Sequence, residues 1–117
     1  MNRKVRQGEI YTCELWGSIG SEEGKQRPCL IIQNDIGNKT SPTTIILPIS
    51  SKRKEKRYPF HHYLYKEDYN FFDYDTNIVL CEQPRCVDLK RIVRYLGNIS
   101  DKDYDEIFQK YCDNCKK

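Results

Sequence analysis

Short runs of alternating or β-branched residues, separated by turn signals, are the feature that most constrains the fold of this chain. The runs cover residues 9–16, 29–33, 44–49, 60–65, 77–81 and 92–96. Side chains on a strand point alternately to opposite faces, so such runs are typical of half-buried or fully buried strands. Asparagine, aspartate, glycine and proline mark turns between them, at residues 34–38, 41–42 and 70–75. The sequence therefore predicts five or six short strands.

One amphipathic helix is predicted near the C-terminal end. Ser100 and Asp103 form a Ser-x-x-Asp pattern that resembles a capping box. Apolar and aromatic residues then recur at helical spacing, at positions 104, 107, 108 and 111. Several strands followed by one helix indicate a mainly β fold, namely a small, strongly bent antiparallel barrel with a C-terminal amphipathic helix, rather than an α/β sandwich.

Length and charge set the outer limits. The 117 residues suffice for a single domain with a real core but not for two. Because 20 basic residues face 17 acidic ones, the net charge is only +3, which excludes a polycation that coats nucleic acid along its whole surface. The basic run KRKEKR at residues 52–57 is the local candidate for such contact. No secretory signal and no run of about 18 apolar residues is found, so we expect a cytoplasmic protein that does not enter the membrane.

Six cysteines stand at positions 13, 29, 81, 86, 112 and 115. Without an export signal they are expected to remain free thiols, and those within strand-like runs to serve as small hydrophobic residues. Cys112 and Cys115 have the spacing of a zinc or redox pair, but a structural zinc normally needs four ligands and no second close pair exists. The plainer interpretation is a helix end with two incidental thiols, and no metal or cofactor is predicted.

The junction Arg27-Pro28 is the most chemical feature of the chain. A charged, glycine-containing loop precedes it and an apolar run follows at once. Because proline confines the residue before it to extended backbone angles, Arg27 should be held at a strand start beneath a loop that acts as a lid. A guanidinium group suits bidentate contact with phosphate, so the arrangement indicates a phosphodiester ligand. The alternative is a surface arginine paired with Glu22 or Glu23.

Other polar residues near strand ends leave two interpretations open. Ser50 is either a contact group or a strand-end serine that caps a turn, and the adjacent Ser51 should face the opposite side of the sheet. His61 and His62 are also adjacent, so only one of them could reach a given site. The aromatic residues of segment 58–74 could stack on unpaired bases, although most are expected to pack in the core.

Five strings in order resemble the MazF/PemK family of toxin endoribonucleases, also called mRNA interferases. They are GEIY at 8–11, GSEEGKQRP at 20–28, LIIQNDIGNK at 30–39, SPTTIILPISS at 41–51 and CEQPRCVD at 81–88. Each string alone is a weak signal, but five with matching gaps are specific. The resemblance extends from residue 8 to about residue 111.

The resemblance implies an SH3-like barrel of the CcdB/PemK type and a homodimer. It also implies sequence-specific cleavage of single-stranded mRNA without a metal or another cofactor. In that chemistry the 2'-hydroxyl of the RNA attacks the neighbouring phosphorus, which leaves a 2',3'-cyclic phosphate and a free 5'-hydroxyl. A cognate antitoxin resembling MazE would neutralise the enzyme.

The same resemblance implies the site residues. Arg27 matches the catalytic arginine, and its fixed charge suits stabilisation of the phosphorane better than proton transfer, since a guanidinium group does not readily give up a proton in proteins. Ser50 stands where the family usually has a catalytic threonine, so it keeps the hydroxyl and loses the methyl group. The positions that match RNA-contacting ones are Ser21, Glu22, Asn34, Glu82, Gln83 and Arg85.

Alternation along a strand sends Glu82 and Gln83 to opposite faces, so only part of the EQPR segment should face one base. Glu82 and Arg85 could instead form a structural ion pair. Two other functions are kept as alternatives. One is a non-catalytic SH3-like module that binds nucleic acid or gyrase in the manner of CcdB, and the other is an interaction domain stabilised by zinc at Cys112 and Cys115.

Overall fold

The structure is a computed structural model that describes residues 4–15, 25–51 and 58–117. Seven strands and two α-helices lie in these segments. In chain order they are β1 (Glu9–Leu15), β2 (Lys25–Ile31), α1 (Asp35–Thr40), β3 (Thr43–Ser50), β4 (His61–Tyr65), β5 (Thr76–Leu80), β6 (Arg85–Asp88), β7 (Ile92–Asn98) and α2 (Asp101–Cys115). A single 3₁₀ turn, Leu89–Arg91, connects β6 to β7.

The strands form one sheet in the order β4-β5-β3-β2-β1-β7, and β6 pairs with β3 beside this path. Every pairing is antiparallel. The mainly β fold with a C-terminal helix is therefore confirmed. In the part of the chain that the structure describes, β4 and β7 end the path rather than pairing with each other, so the predicted barrel is an open, curved sheet.

Strand β3 changes its partner halfway along. Its first half pairs with β6, from Thr43 to Ile46, and its last two residues pair with β5. On its other side β3 pairs with β2, where Pro48 lies opposite Cys29. Proline cannot donate a backbone hydrogen bond, and Pro48 is accommodated because it lies where β3 leaves one partner and joins the next.

Alternation along the strands separates two cores on the two sides of the sheet. One side contributes Ile10, Leu30, Leu47 and Ile49 to a cluster that is covered by Ile107 of α2. The other side contributes a second cluster with Tyr11, Cys13, Cys29, Ile31, Ile46 and Val87. Because both faces of β1, β2 and β3 are covered, these strands contain long runs of buried residues.

Helix α2 begins as the sequence predicts. The Ser100 side chain caps the helix by accepting a hydrogen bond of 3.1 Å from the backbone nitrogen of Asp103. The backbone nitrogen of Ser100 donates to the hydroxyl of Tyr69 at 3.0 Å, and Asp103 contacts Tyr69 and His62. The cap is thus as predicted, while the Asp103 side chain fastens the helix to neighbouring elements.

Two elements were not predicted. Strand β6 was interpreted as a site segment rather than a strand, and α1 lies where a turn was expected. The six predicted strands are all present, with shifts of at most four residues at their ends, and the predicted end of the first strand at residue 16 lies outside the described residues. All six cysteines are free thiols, as predicted. Among the described helices, none has the length and apolar character needed to cross a lipid bilayer.

Candidate functional site

The pairing register places Arg27 at one end of the sheet with Ser50. Arg27 lies opposite Cys13 of β1, and two residues further along β2 Cys29 lies opposite Pro48 of β3. Extending the second register by two residues puts Arg27 opposite Ser50. Residues opposite each other in an antiparallel pair project from the same face. The sheet therefore directs Arg27 and Ser50 to one side at one end.

Arg85 extends this site on the neighbouring strand. Ile46 of β3 lies opposite both Ile31 of β2 and Arg85 of β6, so Arg85 shares the face of Cys29 and Arg27. Burial and Cys13 raise the pKa of the Cys29 thiol well above its ordinary value, whereas the positive charges of Arg27 and Arg85 lower it. Arg27 and Arg85 therefore bring two positive charges to the face of the sheet that carries Cys29.

Ser50 itself is fully buried, with no exposed surface. Its neighbour Ser51 is exposed and lines a cleft on the other side of the sheet. The expectation that the two hydroxyls face opposite sides is thus confirmed. A direct contact between Ser50 and a bound ligand requires the surface around it to move, because the hydroxyl is covered in this structure.

Glu82 is held by a histidine. Its Oε2 atom lies 2.7 Å from Nε2 of His61, and the two side chains are 25% and 4% exposed. His61 Nδ1 and Glu82 Oε1 are the two buried side-chain atoms without a hydrogen-bond partner among the described residues. Tyr58 packs beside His61 with ring centroids 5.2 Å apart. The partner of Glu82 is therefore His61, a residue that the sequence did not connect with it.

Asn34 caps α1 rather than facing Arg27. Its side chain accepts a hydrogen bond of 3.0 Å from the backbone nitrogen of Gly37. Arg27 lies near the start of β2, whereas Asn34 lies three residues past its last residue, Ile31. The structure therefore places these two residues toward opposite ends of β2. Ser21, Glu22 and the basic run 52–57 lie outside the described residues.

A cleft of about 400 Å³ lies beside Arg27. The cleft is lined by Thr12, Gln26, Arg27, Pro28, Ile49, Ser51, Phe71, Phe72, Asp73, Tyr74, Asn77, Arg94 and Leu96. Thr12 of β1 lies opposite both Pro28 of β2 and Arg94 of β7, so these three residues form one row across the sheet. The face of the sheet that carries this row is apolar where α2 covers it and bears polar side chains in the cleft. Arg27 forms part of the rim of the cleft.

A second polar cluster joins α2 to β4. Nε2 of His62 lies 2.9 Å from Asp103 and 3.8 Å from Glu106, and Nζ of Lys110 lies 3.0 Å from Nδ1. Because an ammonium group can only donate, Nδ1 of His62 accepts and Nε2 carries the hydrogen directed at Asp103. His62, Asp103 and Glu106 are the one group within the described segments whose ligand atoms lie within metal-binding reach. With both ring nitrogens engaged, this histidine offers no lone pair to a cation.

Neither cysteine of the C-x-x-C pair belongs to that group. Cys112 is half-buried and Cys115 is exposed at the end of α2. Burial raises the pKa of Cys81 to about 12, so this sulfur remains a protonated thiol at neutral pH. The structure gives no support to a zinc-stabilised domain from the described residues.

Comparison with known proteins agrees with the geometry. The family of PemK-like, MazF-like toxins of type II toxin-antitoxin systems matches residues 6–113. The chain belongs to this family. One relative, endoribonuclease EndoA of Bacillus subtilis (strain 168), is 35% identical over 103 residues, which cover 88% of this chain and 87% of the relative.

Solved structures share the fold. MazF (Form-I) from Deinococcus radiodurans has a TM-score of 0.80 at 20% identity and covers 96% of both chains. An endoribonuclease in complex with its cognate antitoxin from a mycobacterial species has a TM-score of 0.76 at 16% identity, over 95% of this chain and 94% of that one. At such low identities the likeness shows the fold alone. The prediction of a MazF/PemK family member is confirmed by the family match and by the relative.

Proposed function

We propose that this chain is an endoribonuclease toxin that cleaves single-stranded mRNA at specific sequences without a metal ion. Family membership and the relative named endoribonuclease EndoA support the reaction class. The observation that carries the proposal is the register of β1, β2 and β3, which directs Arg27 and Ser50 to one side at one end of the sheet. The non-catalytic CcdB-type alternative is not favoured by these relatives.

The RNA supplies its own nucleophile, the 2'-hydroxyl group. The 2'-oxygen forms a bond to phosphorus, its proton leaves, the bond from phosphorus to the 5'-oxygen breaks, and that oxygen takes up a proton. Negative charge accumulates on the non-bridging oxygens before the bond breaks. Arg27 stabilises this charge with its fixed positive charge, and removal of such a contact costs roughly a hundredfold or more in rate.

Ser50 contributes a hydroxyl in place of the usual threonine. Because Ser50 is buried, it donates to the phosphate or the 2'-hydroxyl only after RNA binding has displaced the surface that covers it. Threonine at this position restricts the side-chain rotamer, so Ser50→Thr is expected to keep the activity or raise it, whereas Ser50→Ala removes the hydroxyl. Comparing the two variants separates a chemical role of the hydroxyl from a packing role.

The remaining site residues are proposed to bind the RNA. Arg85 lies on β6, on the face that carries Cys29, and Gln83 lies two residues before it; both are proposed to contact the backbone of the nucleotide that is cut. Glu82, held by His61, accepts from a base amino group. Ser21 and Glu22 contact the nucleotide beside the scissile bond. Asn34, which lies just past the far end of β2, contacts a base further along the RNA.

The proposed assembly follows the family. The chain functions in the cytoplasm as a homodimer, and a cognate antitoxin resembling MazE neutralises it. One solved structure of the same fold is an endoribonuclease from a mycobacterial species in complex with its cognate antitoxin. An acidic antitoxin segment would compete with RNA for the face of the sheet that carries Arg27 and Arg85.

The test compares the purified protein with Arg27→Gln on a single-stranded RNA in the presence of EDTA. We expect cleavage to cyclic-phosphate and 5'-hydroxyl ends by the parent, and a rate at least about a hundredfold lower for Arg27→Gln. Arg6→Gln is the matched control, because Arg6 is an exposed arginine beside Asp35 rather than beside Ser50. The proposal is wrong if folded Arg27→Gln cleaves as fast as its parent.

A second substrate isolates the nucleophile. An oligonucleotide with a single 2'-deoxy substitution at the cut site should remain intact, since the attacking oxygen is missing. Continued cleavage at that position would exclude the transesterification. If the parent protein binds the unmodified RNA but never cleaves it, the non-catalytic nucleic-acid-binding alternative is indicated.

A further inference from the structure

The cleft beside Arg27 contains charged and aromatic groups that the proposed reaction does not use. Arg94 on β7 and Asp73 in the segment before β5 line it and are exposed. Neither forms an ion pair or side-chain hydrogen bond with the rest of the described chain. Tyr74 also lines the cleft and is 61% exposed, so its ring is open to a ligand.

Arg94 is directed into the cleft by the pairing of β7. It lies opposite Thr12 of β1, which in turn lies opposite Pro28, directly after Arg27. The guanidinium of Arg94 therefore belongs to the cleft face, while Arg27 and Ser50 belong to the other face at the same end of the sheet. Extending the register of β2 and β3 by one residue puts Ile49 opposite Pro28, and Ser51, just past the end of β3, lines the cleft beside this row.

We propose that this cleft is an RNA subsite that binds a flanking nucleotide, one that lies beyond the two nucleotides joined by the scissile bond. Arg94 binds its phosphate, Tyr74 stacks on its base, and Asp73 accepts from a base amino group. The RNA thus passes over Arg27 at the rim of the cleft. The scissile phosphate lies on the face of the sheet that carries Arg27 and Ser50, and the flanking nucleotide lies in the cleft on the opposite face. This inference rests on the proposed function, because it names a further part of the same substrate.

The chemistry of the cleft favours RNA over an acidic protein segment. A free cation, an exposed aromatic ring and a carboxylate match the phosphate, the base face and the base amino groups of one nucleotide. An acidic peptide would use Arg94 but would be repelled by Asp73. The chain also continues from Ser51 into the basic run 52–57, which attracts the RNA backbone without regard to sequence.

The test measures binding and cleavage of two RNAs that share one cut site. The short RNA contains only the nucleotides on either side of the cut, and the long RNA extends several nucleotides beyond it. Binding is measured by fluorescence anisotropy with a 2'-deoxy substitution at the cut. We expect Arg94→Gln and Tyr74→Ala each to weaken binding of the long RNA by roughly tenfold and to leave the short RNA unaffected.

Two control variants separate the specific contacts from general effects. Tyr74→Phe keeps the ring and should bind both RNAs as the parent does. Lys102→Gln removes one positive charge from the exposed first turn of α2, away from the cleft, and should leave the difference between long and short RNA unchanged. For Arg94→Gln, the slope of log affinity against log salt should fall by about one for the long RNA.

Cleavage of the short RNA by the parent establishes the proposed function independently of the cleft. Suppose that the parent cleaves RNA but that Arg94→Gln and Tyr74→Ala both bind the long RNA with parental affinity. The subsite proposal is then refuted, while the proposed endoribonuclease function is supported. If these variants lose affinity for the antitoxin but keep it for the long RNA, the cleft is a protein-binding site and the proposal is likewise wrong. If no RNA is cleaved by the parent, the proposed function itself fails.

Discussion

Replacing Asp103 by asparagine should destabilise the protein, because this carboxylate fastens α2 to the sheet. Asp103 accepts hydrogen bonds from His62 at 2.9 Å, from the hydroxyl of Tyr69, and from Ser100 at 3.3 Å. Asparagine has almost the same shape and keeps one of the two acceptor oxygens. The change therefore removes the charge and one acceptor while leaving the packing in place.

The magnitude follows from the difference between charged and neutral hydrogen bonds. Hydrogen bonds to a charged group contribute about 1.5–3 kcal/mol, against about 1 kcal/mol for neutral ones. Because the Asp103 side chain is 26% exposed, water screens part of this difference, and we expect a loss of about 1–2 kcal/mol in the free energy of unfolding. For a domain of this length, that corresponds to a decrease of roughly 4–8 °C in Tm.

The effect should depend on pH in a defined direction. Burial alone raises the pKa of Asp103, but the hydrogen bonds that Tyr69, His62 and Ser100 donate to its carboxylate lower it below its ordinary value. A lowered pKa in the folded state stabilises the protein above the pKa of the unfolded chain, about 3.9, and this stabilisation is lost as pH falls through the folded value. The Tm difference between parent and Asp103→Asn should thus be full above about pH 5 and vanish in stronger acid.

The assay is thermal unfolding followed by circular dichroism between pH 2 and pH 7. Asp101→Asn is the matched control, because Asp101 is an exposed acid in the same helical turn and makes no side-chain hydrogen bond within the described residues. We expect this control to lose only the interaction with the helix dipole, about 0.3–1 kcal/mol. An Asp103→Asn variant as stable as the control, or a Tm difference that persists unchanged in acid, would refute the reasoning.

Three further changes should alter stability. A Cβ atom at Gly97 would lie 2.5 Å from the ring of Phe71, so Gly97→Ala should cost about 1–3 kcal/mol in urea unfolding, and an unchanged midpoint would contradict the packing. Lys25 has a φ of 62°, so Lys25→Gly should stabilise the protein by about 1 kcal/mol, which a lower Tm would disprove. The hydroxyl of Tyr104 donates to the carbonyl of Ile32 at 3.1 Å, so Tyr104→Phe should cost about 1 kcal/mol in calorimetry, and an unaltered Tm would show that water replaces the bond.

Strands with a strong period of two and the helix with its cap could be predicted from the sequence. Strand β6 could not, because Arg85–Asp88 contains one buried residue and becomes a strand only by pairing with β3. Helix α1 could not either, since Gly37 and Asn38 are poor helix formers. Its stability comes from tertiary contacts, in which the buried Asn38 exchanges hydrogen bonds with Gln33 and accepts one from Thr44.

The candidate site was predictable where backbone chemistry fixes it. Proline after Arg27 indicated extended backbone at a strand start, and Arg27 lies near the start of β2. The alternation of Ser50 and Ser51 correctly predicted that the two serines face opposite sides of the sheet. The pairs between Glu82 and His61 and between Asp103 and His62 join residues that are 21 and 41 positions apart, and no local pattern indicates them. Arg94 was overlooked for the same reason, because its position in the cleft depends on how β7 pairs with β1.

Strand β3 has consequences for the order in which the molecule opens. It pairs with β2 on one side and with β6 and then β5 on the other. Its backbone therefore cannot leave the sheet unless the hydrogen bonds to all three neighbouring strands are broken. Its central amides should therefore exchange with deuterium only in global unfolding and should be the last to lose protection. Ser50, at the end of this strand, is therefore anchored to the part of the sheet that opens last.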